Sequence, residues 1–222
     1  MNYHFDFNSV FRNMQPLWDG LGVTLQLTLA ANAIGLTFGF IVALFLFNKY
    51  AILRMPFIAF VEFYRCTPAM VQIVWFFYCV PMMFNWFLPP VTMGIIALSL
   101  NLVAFNAEAY RSAIQNVPRE HIDAGIALGF TPFQRIRYII LPTAFRSSLP
   151  VLLTNGIVIF QQSALVALVA VNDLMYAGKS LATNNFRPIE TFTIVALIYF
   201  AISYPVSQFV GWMEKRREIM SS

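Results

Sequence analysis

PREHIDAGIALGFTPFQRIRYIILP, residues 118–142, is the one long polar island in a chain otherwise fit for a membrane. Its first half carries Arg119, Glu120, His121 and Asp123, and then Ile122, Ile126 and Leu128 among small residues. Asp123, Ala124, Gly125 and Gly129 leave little side-chain bulk on one surface, where a foreign backbone could approach. Gly129 breaks the pattern, and Thr131-Pro132-Phe133-Gln134 reads as a helix start, with Thr131 as N-cap, Pro132 at the first helical position and Gln134 closing a capping box. The expectation is two short helices joined at a glycine, a compact knob. Periodicity alone also fits an amphipathic segment lying on lipid headgroups.

The sequence on either side of the island decides its setting. Of the 222 residues, 59% are hydrophobic and 11% charged, against about 25% charged in an ordinary soluble domain. The fold class expected is therefore an all-α integral membrane protein. Five spans are read at about 21–47, 57–80, 91–113, 149–171 and 191–213, with an outer segment at 1–20 and a tail at 214–222. No basic stretch precedes the first apolar run, so that run reads as a retained helix rather than a secretory signal. It carries Ala31, Gly35, Gly39 and Ala43 at four-residue spacing, a stripe that lets another helix come close, although membrane helices also simply tolerate glycine. Thr24, Gln26, Thr28 and Asn32 make one of its faces polar. Residues 81–90, uncharged and rich in proline and aromatics, read as an outer hairpin.

Lysine and arginine set the orientation. Lys49, Arg54, Arg111, Arg119, Arg135, Arg137, Arg146, Lys215, Arg216 and Arg217 fall on one side of this topology, and Arg12, Lys179 and Arg187 on the other. Ten against three places the N-terminus outside and the C-terminus and the island in the cytoplasm. The net charge of +4 thus reports orientation, with no nucleic-acid footprint.

Polar residues inside the spans are candidates for a transport path. Glu62 and Arg65 share a face before Thr67-Pro68; at bilayer depth each charge costs ~2.5 to 3.5 kcal/mol, so the pair should face a partner or water, or else snorkel at the interface. Glu108 and Arg111 end the third span, and Gln161, Gln162 and Ser163 interrupt the fourth. Pro68 should kink the second span unless the bundle holds it straight.

Several chemistries find no support. Cys66 and Cys79 are thirteen residues apart, about 20 Å along a helix, too far to bridge. His4 and His121 have no ligand at metal spacing. Gly178-Lys179-Ser180 looks like the end of a phosphate loop, but Asp173 stands where its first glycine is required. No catalytic, cofactor or metal residue is expected in the chain.

The island's spacing carries a resemblance. Asp123-Ala124-Gly125, then Gly129, then nine residues to Ile139 and Leu141-Pro142, resembles the EAA motif of the membrane subunits of ATP-binding cassette importers, with Asp for Glu and Gly for the second Ala. Glu62-Phe63-Tyr64-Arg65-Cys66-Thr67-Pro68 is similar to the Glu-Phe-Phe-Arg-Gly-Thr-Pro segment of the polar amino-acid permease branch. Ala107-Glu108-Ala109-Tyr110-Arg111 resembles its Ala-Glu-x-x-Arg segment, and residues 161–165 loosely resemble its Lys-Asp-Thr-Ser-Leu segment. The resemblance implies a type I importer permease in a bacterial inner membrane. Asp123, Ala124, Gly125, Leu128, Gly129, Thr131 and Pro132 would then belong to a coupling helix seated on a cytoplasmic ATPase dimer, which binds the ATP and magnesium. A second permease subunit, the same chain or a paralogue, an external solute-binding protein, an amino-acid substrate and membrane lipid complete the expected partners. A self-contained secondary carrier would be unusual with five spans and no inverted repeat. A scaffold docking a cytoplasmic enzyme would have no use for the intramembrane polar residues.

Overall fold

The computed structural model describes residues 5–221, with side chains through Arg216; His4 and the side chains of Arg217 and Glu218 lie outside the described residues. Among the described residues the chain is helical throughout. The elements are α1 (Asn8–Phe11), α2 (Gln15–Leu46), α3 (Ala51–Cys66), α4 (Ala69–Phe84), α5 (Pro90–Gln115) and α6 (Arg119–Ala127). After these come α7 (Pro132–Val169), α8 (Leu174–Asn185) and α9 (Pro188–Ser221).

Close packing around small residues sets the frame. A Cβ on Gly35 would meet Leu102 Cγ at 2.5 Å, one on Gly39 would meet Asn106 Cβ at 2.8 Å, and one on Gly94 would meet Leu27 Cδ2 at 3.2 Å. The small-residue stripe of α2, with Ala31 and Ala43 fully buried, is thus the seat of α5. The pairs 27 with 94, 35 with 102 and 39 with 106 advance together, so α2 and α5 run parallel. The chain between them must therefore return across the bundle. α3 packs Val61 beside Val42, Leu46 and Val103, and α4 packs Ile73 beside Leu27 and Leu98, so the pair covers that distance. Five crossings result, as the hydropathy pattern predicts.

The second crossing departs from the expected single helix at 57–80. It is two helices of 16 residues each, bent by 109° at Thr67-Pro68. Pro68 has no N–H to continue the helix, and it forces Thr67 into extended backbone at φ −109° and ψ 141°. The helix begins at Ala51 rather than near residue 57, so Pro56 sits inside α3. Pro81 likewise lies inside α4, so the connection to α5 is residues 85–89 rather than 81–90, turned by Asn85 at φ 53°.

Two further boundaries shift. The first crossing starts at Gln15, where Pro16 suits an opening turn, and its 32 residues reach about 48 Å, longer than an apolar core of about 30 Å. The expected short second helix of the island is instead the start of a 38-residue helix, α7, which passes a π-turn at Ile136–Ile140 and tightens to 3₁₀ geometry from Ser163 to Val169. α7 runs antiparallel to α5, with Asn155 against Asn106 and Ala144 against Ala113 and Val117. α9 runs parallel to α2, its Ile194 and Val195 packing near Leu17 and Leu21.

All crossings therefore share two ends. One end holds α1, α8 and the starts of α2, α5 and α9. The other holds the island and the side chains of Lys49, Arg54, Arg111, Arg119, Arg135, Arg137, Arg146, Lys215 and Arg216.

Candidate functional site

The island forms a corner at the arginine-rich end. α6 stops in a Schellman geometry: Phe130 N donates to the Gly125 carbonyl at 2.9 Å, Gly129 N donates to the Ile126 carbonyl at 2.9 Å, and Gly129 takes φ +74°. α7 then starts on a complete capping box, with Thr131 N donating to Gln134 Oε1 at 2.8 Å and Gln134 N donating to Thr131 Oγ1 at 3.3 Å. Two capped helix ends back to back make a stiff corner.

One side of that corner is free and greasy. Leu128 is 74% exposed and Phe133 72%, with Ile126, Ile136 and Tyr138 also exposed. Asp123, Ala124, Thr131 and Pro132 are exposed beside them. Gly125 is the exception among the expected coupling residues, for it is buried, and a Cβ there would stand 2.5 Å from Ile139 Cδ1 and 3.4 Å from Arg135 Cγ. Its smallness lets α6 lie on α7 and offers nothing to a foreign backbone. Ile126 and Leu128 stand out in the sequence as apolar residues of the island, but that they and Phe133 share one exposed surface depends on the turn at Gly129.

The intramembrane polar residues fall into separate groups. Arg65 pairs with Glu62 at 3.8 Å and Arg111 with Glu108 at 3.5 Å, each pair partly exposed and level with the Val61, Val103 and Ala107 packing layer. Ser163 is buried and donates to the Phe160 carbonyl at 2.7 Å, Gln162 is partly buried and Gln161 is exposed. This second group lies beside the layer of Leu98, Ile159 and Val166, about 7 to 14 Å back towards the start of α5. The seven residues are not one constellation within a single chain.

Buried polar contacts unforeseen as sites tie the crossings together. Gln72 bridges the elbow between α3 and α4 to Asn101, and Asn155 Nδ2 donates to Asn106 Oδ1 at 3.0 Å. At the opposite end, outside the crossings, Asp173 caps α8 by accepting from Tyr176 N at 2.8 Å. Burial pushes its carboxyl up to about 6, against the lowering pull of its backbone hydrogen bonds. Glu190, fully buried, accepts from Asp6 N at 3.0 Å and pairs with Arg187 at 3.6 Å, closing the N-terminus onto α9.

A capped corner with exposed apolar side chains thus stands at one end of a five-crossing bundle. The family model described as "Binding-protein-dependent transport system inner membrane component" matches residues 35–219. The chain belongs to that family. It is a multi-pass inner-membrane component of a binding-protein-dependent transport system. It is 30% identical over 221 residues to the glutamate/aspartate import permease protein GltK of Escherichia coli O6:H1, covering 96% of this chain and 99% of that one. It is 29% identical over 217 residues to the glutamine transport system permease protein GlnP of Escherichia coli K12, covering 97% and 99%. Among solved structures, a chain of an amino acid ABC transporter with histidines superposes with a TM-score of 0.90 at 30% identity, over 96% of this chain and all of that one. A chain of the inward-facing MetNI methionine ABC transporter superposes with a TM-score of 0.71 at 20% identity and shares the fold. The type I importer permease fold expected from the island is the fold observed.

Proposed function

We propose that this permease carries a polar amino acid inward across a bacterial inner membrane, powered by ATP hydrolysis on a separate ATPase dimer that seats on the α6–α7 corner. The observation that carries the reading is its end-to-end match to permeases named for glutamate, aspartate and glutamine. The exposed Leu128 and Phe133 supply the apolar anchor that such a seat needs, on a corner held stiff by its two caps. ATP and magnesium belong to the partner. Gly178, the nearest approach to a phosphate-loop glycine, is packed into Val195, where a Cβ would meet Val195 Cγ2 at 2.6 Å.

The arginine-rich end is the cytoplasmic one by the positive-inside rule, which leaves α1 and α8 outside to meet the solute-binding protein. Glu62–Arg65 and Glu108–Arg111, charged and partly exposed on a lipid-embedded bundle, are better matched by a second permease subunit and a wetted path between the two than by acyl chains.

The test is reconstitution of the permease with its ATPase and binding protein in proteoliposomes. Leu128→Asp combined with Phe133→Asp should leave insertion intact and abolish both ATPase co-purification and ATP-dependent uptake of a panel of polar amino acids. Normal co-purification and uptake in that variant would remove the docking assignment. Failure of the unaltered complex to move any amino acid would remove the substrate class.

A further inference from the structure

Pro68 interrupts the backbone hydrogen bonding of the second crossing, and one side chain restores it. In a continuous helix the carbonyl of Tyr64 would accept from the N–H of residue 68, which proline lacks. Gln72 Nε2 donates to that carbonyl at 2.9 Å, to the Thr67 carbonyl at 3.0 Å and to Thr67 Oγ1 at 2.7 Å, so its two hydrogens are shared among three acceptors. Thr67 Oγ1 in turn donates to the Phe63 carbonyl at 2.7 Å. On the other side Gln72 Oε1 accepts from Asn101 Nδ2 of α5 at 2.9 Å. A chain of hydrogen bonds thus runs from the end of α3, through the start of α4, into α5.

Its setting gives the chain leverage. Gln72 is 5% exposed and Asn101 4%, so water does not compete for the bonds from Gln72 to the Tyr64 carbonyl and to Asn101, and breaking either leaves a buried group unpaired. The elbow carries Glu62 and Arg65 on its α3 arm and borders a cavity of about 460 Å³ lined by Phe63, Tyr64, Thr67, Val71, Gln72 and Trp75, among others. A carboxamide is suited to this place because it presents donors to the freed carbonyls and an acceptor to Asn101 at once.

We infer that Gln72, anchored by Asn101, is a positioning residue for transport, fixing the 109° elbow against α5 and so setting where the Glu62–Arg65 arm stands. Its action on transport rests on the function proposed above, whereas its action on the elbow does not.

Both can be read in the full importer. Spin labels at Met55→Cys on α3 and Met82→Cys on α4, both exposed sites, with Cys66→Ser and Cys79→Ser, report the elbow as a distance distribution. Gln72→Leu keeps the bulk and deletes the bonds. The expected result is normal insertion and ATPase binding, a broadened distance distribution, and about a tenfold fall in the ratio of substrate-stimulated to basal ATPase. Adding Pro68→Ala to Gln72→Leu returns an N–H to the Tyr64 carbonyl, so it should recover thermal stability without recovering the stimulation ratio. A residue that only filled space would show the reverse, a lowered melting point with an unchanged ratio. A narrow wild-type distance together with a wild-type ratio in Gln72→Leu overturns the inference. Should that variant fail to insert, Asn101→Ala cuts only the tie to α5, and an unchanged ratio there overturns it equally. If the unaltered importer shows no amino-acid stimulation, the substrate reading has failed, and the distance measurement still decides the elbow.

Discussion

Glycines in this permease are not interchangeable, and their neighbours say why. At Gly125 the obstructing atom is the far end of Ile139, which can rotate aside, and the helix propensity gained by alanine offsets the disturbance. At Gly35 three atoms of Leu102, from Cβ outward, lie between 2.5 and 3.0 Å from the place of a Cβ, so the α2–α5 crossing itself must widen. Gly125→Ala should therefore leave the melting temperature of the purified protein nearly unchanged, while Gly35→Ala should lower it clearly. Equal shifts would refute the distinction. Asp173 gives a second prediction. Its carboxyl is held at about 6 by burial, above its ordinary value of 3.8, so the fold bears an ionisation cost above pH 6 that is relieved as pH falls from 6 towards 4. Asp173→Asn keeps a capping oxygen and removes the titration. Wild-type thermal stability should rise between pH 7.5 and 5.5 relative to that of Asp173→Asn, and parallel profiles would show that this group contributes nothing.

At the scale of the element, the α6–α7 corner depends on two unlike devices. Gly129 has no neighbour within 4 Å of a built Cβ, so replacing it costs backbone strain at φ +74° and no clash. Gly129→Asn should cost less than Gly129→Ala, about 1 kcal/mol for the latter, because asparagine tolerates the left-handed region. Thr131→Ala removes the capping box and should cost about 1 kcal/mol. Local opening at the corner, read by hydrogen exchange of Thr131 and Gln134 amides, should rise in Thr131→Ala while the middle of α5 stays protected; unchanged exchange would mean that the box does not hold the corner. The cap was legible in the sequence because threonine, proline and glutamine each act within one turn. The burial of Gly125 was not, since it depends on Ile139, fourteen residues away, folding back on α6 through the turn at Gly129.

On the scale of the whole molecule, the two ends of the bundle can be told apart by labelling. In a background with Cys66→Ser and Cys79→Ser, a cysteine replacing Lys179 in α8 should react with a membrane-impermeant maleimide in intact cells, and one replacing Arg54 in α3 only after the membrane is opened. The opposite pattern would invert the orientation. Composition and long apolar runs determined by themselves that the chain is helical and embedded, because a backbone in lipid must satisfy its own hydrogen bonds. The spacing of the small residues on α2 and the caps around Gly129 were equally plain, since both act within a few turns of one helix. Only the tertiary structure decided that Pro68 makes an elbow of 109° rather than a kink, that Gln72 and Asn101 close it, and that the polar residues at 62–65 and 161–163 lie at different depths. Each of those outcomes rests on which helix stands opposite. A proline removes one donor wherever it sits, and the angle that follows depends on the partner that replaces the lost bond.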